Sequence, residues 1–286
     1  MNKYFISEMD IKDGTTYKQT FSIDHTISKY PDGAIKVLYD YEVGNEVTIE
    51  AHITDNDGLI GLFLITDALR RLGVEKINLF IPYVPYCRQD RICNEGESLS
   101  SKVIADLINL QNYNYVTTFD AHSNVIVGML NKCNNISNCE KIFNIMANLI
   151  DAGNFHRIHL IAPDLGAVKK LKELISYIED KTNILLKYSV FDKKRDTTNG
   201  KLSNVKLMGT SLFADDDIIF VVDDICDGGG TFLLVHEILE SYLKDLDIMA
   251  HSINLIVSHG LYTNKDNLTK LNELYTNNLC IYNYSK

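Results

Sequence analysis

Five short, mainly apolar runs recur along the chain: Ile77-Asn78-Leu79-Phe80-Ile81, Tyr115-Val116-Thr117-Thr118-Phe119, Ile158-His159-Leu160-Ile161-Ala162, Ile218-Ile219-Phe220-Val221-Val222 and Ile253-Asn254-Leu255-Ile256-Val257. Their length and their β-branched and aromatic content predict buried strands. Residues 59–72, 99–110, 140–150, 166–179 and 231–244 instead repeat apolar positions with a helical period, and Gly73 follows the first of these as a C-terminal cap should. Strand and helix in alternation imply right-handed crossovers and mostly parallel sheets, with ligand sites at the carboxyl ends of strands. The predicted fold class is α/β.

The 286 residues, 45% apolar and 23% charged, can bury a sizeable core and fit about two domains of roughly 150 residues each. The Asn-rich stretch Asn131-Lys132-Cys133-Asn134-Asn135-Ile136-Ser137-Asn138 follows one strand-plus-helix unit and precedes a fresh helix, so it is the expected boundary, giving domains 1–140 and 141–286. Lys and Arg number 28 against 38 Asp and Glu, a net charge of −10, which argues against a nucleic-acid or membrane partner. A phosphorylated ligand would need a metal ion or oriented backbone amides. The N-terminus reaches Glu8 without an apolar signal-peptide core, and no segment has the uninterrupted length to span a bilayer. Cys87, Cys93, Cys133, Cys139, Cys226 and Cys280 show no C-x-x-C spacing, so a reduced, cytoplasmic setting is expected.

Polar clusters follow four of the predicted strands. The most informative is Asp223-Asp224-Ile225-Cys226-Asp227-Gly228-Gly229-Gly230-Thr231, where a strand ends in acids and a glycine run opens a helix. Three glycines permit left-handed angles, so that consecutive amides can turn inward and cradle a phosphate, with the Thr231 hydroxyl beside them. Asp223 and Asp224 suit a vicinal diol or a metal-bound sugar; a plain acidic turn is the other reading. In Pro82-Tyr83-Val84-Pro85-Tyr86-Cys87-Arg88-Gln89-Asp90-Arg91, the two arginines can grip a polyphosphate and Gln89 can read a base or ribose, although a surface Arg-Asp pair would look the same. Asp120-Ala121-His122 and Ala162-Pro163-Asp164 offer an imidazole and a carboxylate to a divalent cation, unless His122 is merely structural. Asp192 to Lys201 reads as a basic loop between strands, either closing over a reacting phosphate chain or forming a solvated hairpin tip.

Taken in order, these segments resemble the ribose-phosphate diphosphokinases, also called phosphoribosyl pyrophosphate synthetases. The similarity runs from Tyr30-Pro31-Asp32-Gly33 to the strand near Ile281 and includes Asp67-Ala68-Leu69-Arg70-Arg71 and Asp192-Lys193-Lys194-Arg195. It implies two phosphoribosyltransferase-like domains, each with a mostly parallel sheet flanked by helices. It also implies magnesium-dependent transfer of the β,γ-diphosphate of ATP to the anomeric hydroxyl of ribose 5-phosphate. By matching position, Arg88, Gln89 and Arg91 of the first domain would hold ATP, helped by Tyr30 and Asp32 from a neighbouring subunit of a homo-oligomer. His122 and Asp164 would serve the metal-triphosphate site. In the second domain Asp223 and Asp224 would hold the ribose hydroxyls and Asp227, Gly228, Gly229, Gly230 and Thr231 its 5′-phosphate, while Lys193 and Arg195 would stabilise the transferring group.

The departures from the family pattern generate further expectations. Gly228-Gly229-Gly230 stands where the family commonly has Thr-Ala-Gly, which implies a roomier phosphate pocket. That room suggests a larger 5′-substituted acceptor, such as ADP-ribose in NAD salvage, as the alternative substrate. Ala34 replaces an acid, Val125 and Val127 replace glutamines, and the chain stops at Lys286 soon after its last strand, so allosteric control should be weak and a hexamer is not assumed. A non-catalytic, synthetase-like regulatory subunit and a phosphoribosyltransferase are the remaining readings.

Overall fold

In the computed structural model, which describes residues 2–12, 15–22, 27–39, 42–150, 157–182, 186–195, 202–209, 213–215 and 217–285, the chain divides into two units, Met1–Ser137 and Asn138–Ser285. The first contains β1 (Lys3–Lys12), β2 (Thr15–Ser22), β3 (Ile27–Lys29), β4 (Ile35–Val37), β5 (Glu46–His52), α1 (Asn56–Arg71), β6 (Lys76–Phe80), α2 (Ser100–Leu110), β7 (Val116–Phe119), α3 (Asn124–Met129) and β8 (Cys133–Ile136). Its main sheet has the order β2-β1-β5-β6-β7-β8. Neighbours from β5 to β8 run parallel, whereas β1 and β2 join antiparallel at one edge. Ile49 and Leu79 of the sheet pack with Leu62, Ile65 and Leu69 of α1 and Ile108 of α2.

The second unit repeats the scheme with α4 (Cys139–Leu149), β9 (Ile158–Ala162), a 3-10 turn (Leu165–Ala167), α5 (Val168–Thr182), β10 (Lys187–Arg195), β11 (Leu202–Met208), β12 (Ile218–Cys226), α6 (Gly230–Asp245), β13 (Ser252–Gly260), α7 (Lys265–Leu274) and β14 (Asn277–Asn283). The sheet order is β11-β10-β9-β12-β13-β14, again parallel except for the hairpin strand at one edge. Helices on both faces explain the unbroken apolar runs. Ile218, Phe220 and Val222 point into one core with Leu171 and Leu174 of α5, whereas Ile219 and Val221 feed another with Val235 and Leu239 of α6. Among the described residues no helix is long and apolar enough to cross a membrane.

All five predicted runs are strands, and the expected helices match α1, α2, α4, α5 and α6 within a few residues. The Asn-rich stretch expected at the domain boundary also carries a strand, since β8 pairs Val116 with Cys133 through Phe119 with Ile136. An outermost strand pairs on one side only and tolerates polar residues there. Asp192 to Arg195, read as loop, continue β10, and their backbone pairs with β11.

Two glycines in the first unit separate packing from propensity. Tyr4 is buried and its hydroxyl donates to Gly58 O at 2.6 Å. A Cβ on Gly61 would lie 2.8 Å from that hydroxyl, whereas one on Gly128 of α3 would meet nothing within 4 Å. Gly61→Ala should therefore cost about 1–3 kcal/mol despite the better helix former, and Gly128→Ala should be neutral or gain up to about 1 kcal/mol. Urea denaturation of the two variants measures both signs.

Candidate functional site

In the first unit the chain leaves β6 in a tight turn that hides Cys87 and exposes Arg88, Gln89 and Arg91. Tyr86 takes a left-handed backbone at φ 64 and is tied through its hydroxyl to Asn56 Oδ1 at 2.6 Å, where α1 begins. Ser101 N donates to Gln89 O at 3.3 Å, fastening the far side to α2. Two guanidinium groups and an amide thus stand in solvent on an anchored loop. After β7, Asp120 is buried at φ 43, and its amide donates to Ile136 O at 2.8 Å. Asn135 Oδ1 accepts from both Thr118 Oγ1 and Ala121 N at 2.9 Å, which fixes the turn carrying the exposed His122. Tyr30 and Asp32 occupy the exposed tip between β3 and β4, where Asp32 Oδ1 accepts from Ala34 N at 3.0 Å.

In the second unit, Asp164 follows β9 and caps the 3-10 turn, its Oδ1 accepting from Ala167 N at 3.1 Å. Asp223 and Asp224 lie in β12 itself, which runs on past Val222. Asp224 is buried, and Lys170 Nζ of α5 donates to its Oδ2 at 3.1 Å. Asp223 Oδ1 accepts from the Asp224 amide at 2.9 Å. Burial, then the Asp224 and Asp164 carboxylates, push the Asp223 carboxyl well above the ordinary carboxylate range. Lys170 and this acid pair share a small cavity with Ile142, Leu171 and Leu174, an apolar back wall that withholds water from the carboxylates. Burial, reinforced by Asp223 and Asp227, also pushes the Cys226 thiol up to about 12, so it remains a neutral thiol and offers no nucleophile.

The glycine turn differs from expectation. Only Gly229 of the three has a positive φ, 76, as the residue before α6. A Cβ there would meet Leu271 Cδ1 at 3.0 Å and Asn267 Cβ at 3.4 Å, both from α7. Its missing side chain is therefore filled by protein, and the added room predicted for the pocket reduces to Gly228, where the nearest atom to a Cβ is Thr263 Oγ1 at 4.0 Å. Asp227 Oδ1 accepts from Thr263 Oγ1 at 2.7 Å.

The structure brings together Asp164, Asp223, Asp224 and the Asp227 to Thr231 turn at neighbouring strand ends of one sheet. His122 belongs to the other unit, and among the described residues no three His, Cys, Asp or Glu side chains form a metal-binding group. The crowded carboxylates do fit a divalent cation on charge, and magnesium keeps several waters and substrate oxygens rather than a full protein cage. The side chains of Lys193 and Arg195 lie outside the described residues. Lys170, Asn135, Thr263 and Asn267 escaped the sequence reading. Nothing in the sequence separates Lys170 from its neighbours Lys169 and Lys172, whereas the polar residues after β13 carried the same strand-end signal as the other clusters.

Three substitutions check this electrostatic and steric account. Gly229→Ala should destabilise by about 1–3 kcal/mol, because it combines a disfavoured φ with the α7 contact, whereas Gly230→Ala, with nothing within 4 Å of a Cβ, should cost less than about 0.5 kcal/mol. Because the folded carboxyl of Asp223 titrates above its ordinary value of 3.8, native-state ionisation costs stability as pH rises. Asp223→Asn should give no gain below about pH 4 and a gain that grows with pH until the folded pKa is passed. Thermal melts across pH 4 to 9 follow the trend.

Residues 15–111 match the N-terminal domain of ribose phosphate pyrophosphokinase, and residues 134–255 match the phosphoribosyl transferase domain. The ribose-phosphate pyrophosphokinase of Pyrococcus abyssi is 28% identical over 84% of this chain and 77% of its own length. That of Campylobacter jejuni is 30% identical over 76% of this chain and 67% of its own. The crystal structure of phosphoribosylpyrophosphate synthetase from Mycobacterium smegmatis shares the fold at TM-score 0.69 and 19% identity, covering 87% of this chain and 76% of that one. The two domain matches and these relatives show that the chain belongs to the ribose-phosphate pyrophosphokinases, a family of diphosphotransferase enzymes.

Proposed function

We propose that this chain transfers the β,γ-diphosphate of ATP to the anomeric hydroxyl of ribose 5-phosphate, giving phosphoribosyl pyrophosphate and AMP. The observation that carries the reading is the end of β12, where an acid pair, Asp224 buried and Asp223 half-buried, is followed by a turn whose glycine amides open a helix. A sugar phosphate needs both parts at that spacing, acceptors for the hydroxyls and donors for the phosphate. In the reaction the 1-hydroxyl oxygen bonds to the β-phosphorus, the bond from that phosphorus to the α,β-bridging oxygen breaks, and the hydroxyl proton is released. No side-chain nucleophile is required, which agrees with the neutral, buried Cys226.

Arg88, Gln89 and Arg91 would hold the nucleotide, with Tyr30 and Asp32 completing the adenine site from a second copy of the chain. Asp223 and Asp224 would orient the ribose, and Asp227, Gly228, Gly229, Gly230 and Thr231 its phosphate. Lys193 and Arg195 would neutralise charge that develops on the moving diphosphate. Magnesium would supply charge neutralisation on the polyphosphate and so make two anions compatible with a net-acidic protein, with His122 of the first unit and Asp164 of the second as the side chains offered to it.

The alternative acceptor, a larger 5′-substituted ribose such as ADP-ribose, rested on space at Gly228 and Gly229. Half of that support is gone, because the left-handed backbone and α7 account for Gly229.

Incubating the chain with ATP, magnesium and either ribose 5-phosphate or ADP-ribose, and following AMP release, decides the acceptor. Ribose 5-phosphate is expected to be turned over, and AMP release with ADP-ribose alone would sink the reading. Lys193→Ala should lower kcat on the order of a hundredfold or more with little change in ATP affinity. Asp224→Ala should act mainly on the KM for the sugar.

A further inference from the structure

The carbonyls of Asp227, Gly228 and Gly229 in the glycine turn are all taken up by protein donors. Thr263 N donates to Asp227 O at 3.2 Å, Asn267 Nδ2 donates to Gly228 O at 2.6 Å, and the amides of Phe232 and Leu233 donate to Gly229 O at 3.1 Å. A trans peptide points its N–H opposite the preceding carbonyl, and no described peptide is cis. Each of these bonds therefore turns the next amide the other way. The N–H groups of Gly228, Gly229 and Gly230 are thus turned from these donors, and among the described residues the three amides meet no protein acceptor.

The third orientation comes with any helix start, because Phe232 and Leu233 belong to the first turn of α6. The first two do not. They are imposed by Thr263 and Asn267, more than thirty residues further along the chain, at the foot of α7. Thr263 Oγ1 also donates to Asp227 Oδ1 at 2.7 Å, tying that carboxylate to the residues that lead into α7. Leu271 of the same helix packs on Gly229. A glycine turn is otherwise free to rotate its peptides, and ordering it on binding would cost affinity.

We infer that Asn267, supported by Thr263, is a positioning residue for the acceptor's phosphate: its amide locks the Gly228–Gly229 peptide so that the Gly229 N–H faces the anion before it arrives. This rests on the reading of the turn as the 5′-phosphate site. The bond from Asn267 is local and one of several on α7, so its loss should leave the fold in place.

The full-length chain and its Asn267→Leu and Asn267→Ser variants are titrated calorimetrically with inorganic phosphate, then assayed with ribose 5-phosphate and ATP. Thermal melts identify which variants are folded. The expected result is a roughly five- to tenfold weaker phosphate Kd and a matching rise in the KM for ribose 5-phosphate, the scale of one lost hydrogen bond, with kcat and the KM for ATP within about twofold of wild type. A folded variant that binds phosphate like wild type, or a wild-type chain that binds none, overturns the inference. A wild type that binds phosphate through Asn267 yet does not turn over ribose 5-phosphate supports it while removing the proposed acceptor. Should neither variant fold, Asn267 would be structural and the inference would also fall.

Discussion

Asp223 and Asp224 create a charge conflict around which the second unit is arranged. Two adjacent carboxylates at the end of a buried strand suit sugar hydroxyls, yet they stand four residues from a turn built for an anion. Desolvation disfavours ionisation of Asp223, and the neighbouring Asp224 and Asp164 carboxylates raise the cost further. Lys170 answers part of that charge at Asp224, and the Asp227 carboxylate is held by Thr263. What remains is an acidic centre whose charge a divalent cation would offset, as the proposed reaction of two anionic substrates on a chain of net charge −10 requires.

The two units reach the same sheet plan by different means. Each has parallel neighbours in the middle and an antiparallel hairpin strand along one edge, with polar loops at the carboxyl ends of the parallel strands. In the first unit the strand-end loops carry cationic and imidazole side chains; in the second they carry carboxylates and bare amides. The division fits the proposed reaction, in which guanidinium groups would hold a polyphosphate and a sugar would need acceptors beside its phosphate cradle.

The sequence made the parallel core legible because strands buried on both faces have to be apolar throughout, as Ile218 to Val222 are. It left the edge strands obscure, because strands such as β2 and β8 have mixed polarity. The site clusters stood out where chemistry concentrates within a few consecutive residues, as at Asp223 to Thr231. Long-range supports did not: Lys170 reaches Asp224 across 54 positions, and Asn267 reaches Gly228 across 39. Glycine content was also ambiguous, because a missing Cβ can make room for a ligand or for a neighbouring helix, and Gly229 serves the helix.

The seating of α7 against Gly229 has an evolutionary side. A loop whose peptide orientations are dictated by another stretch of chain cannot drift alone, since any change in the helix that shifts Asn267 or Leu271 alters the cradle without touching a single residue in it. Transplanting the short glycine segment into a foreign scaffold would carry the signature but leave its anion affinity behind, because turn and helix form one heritable part.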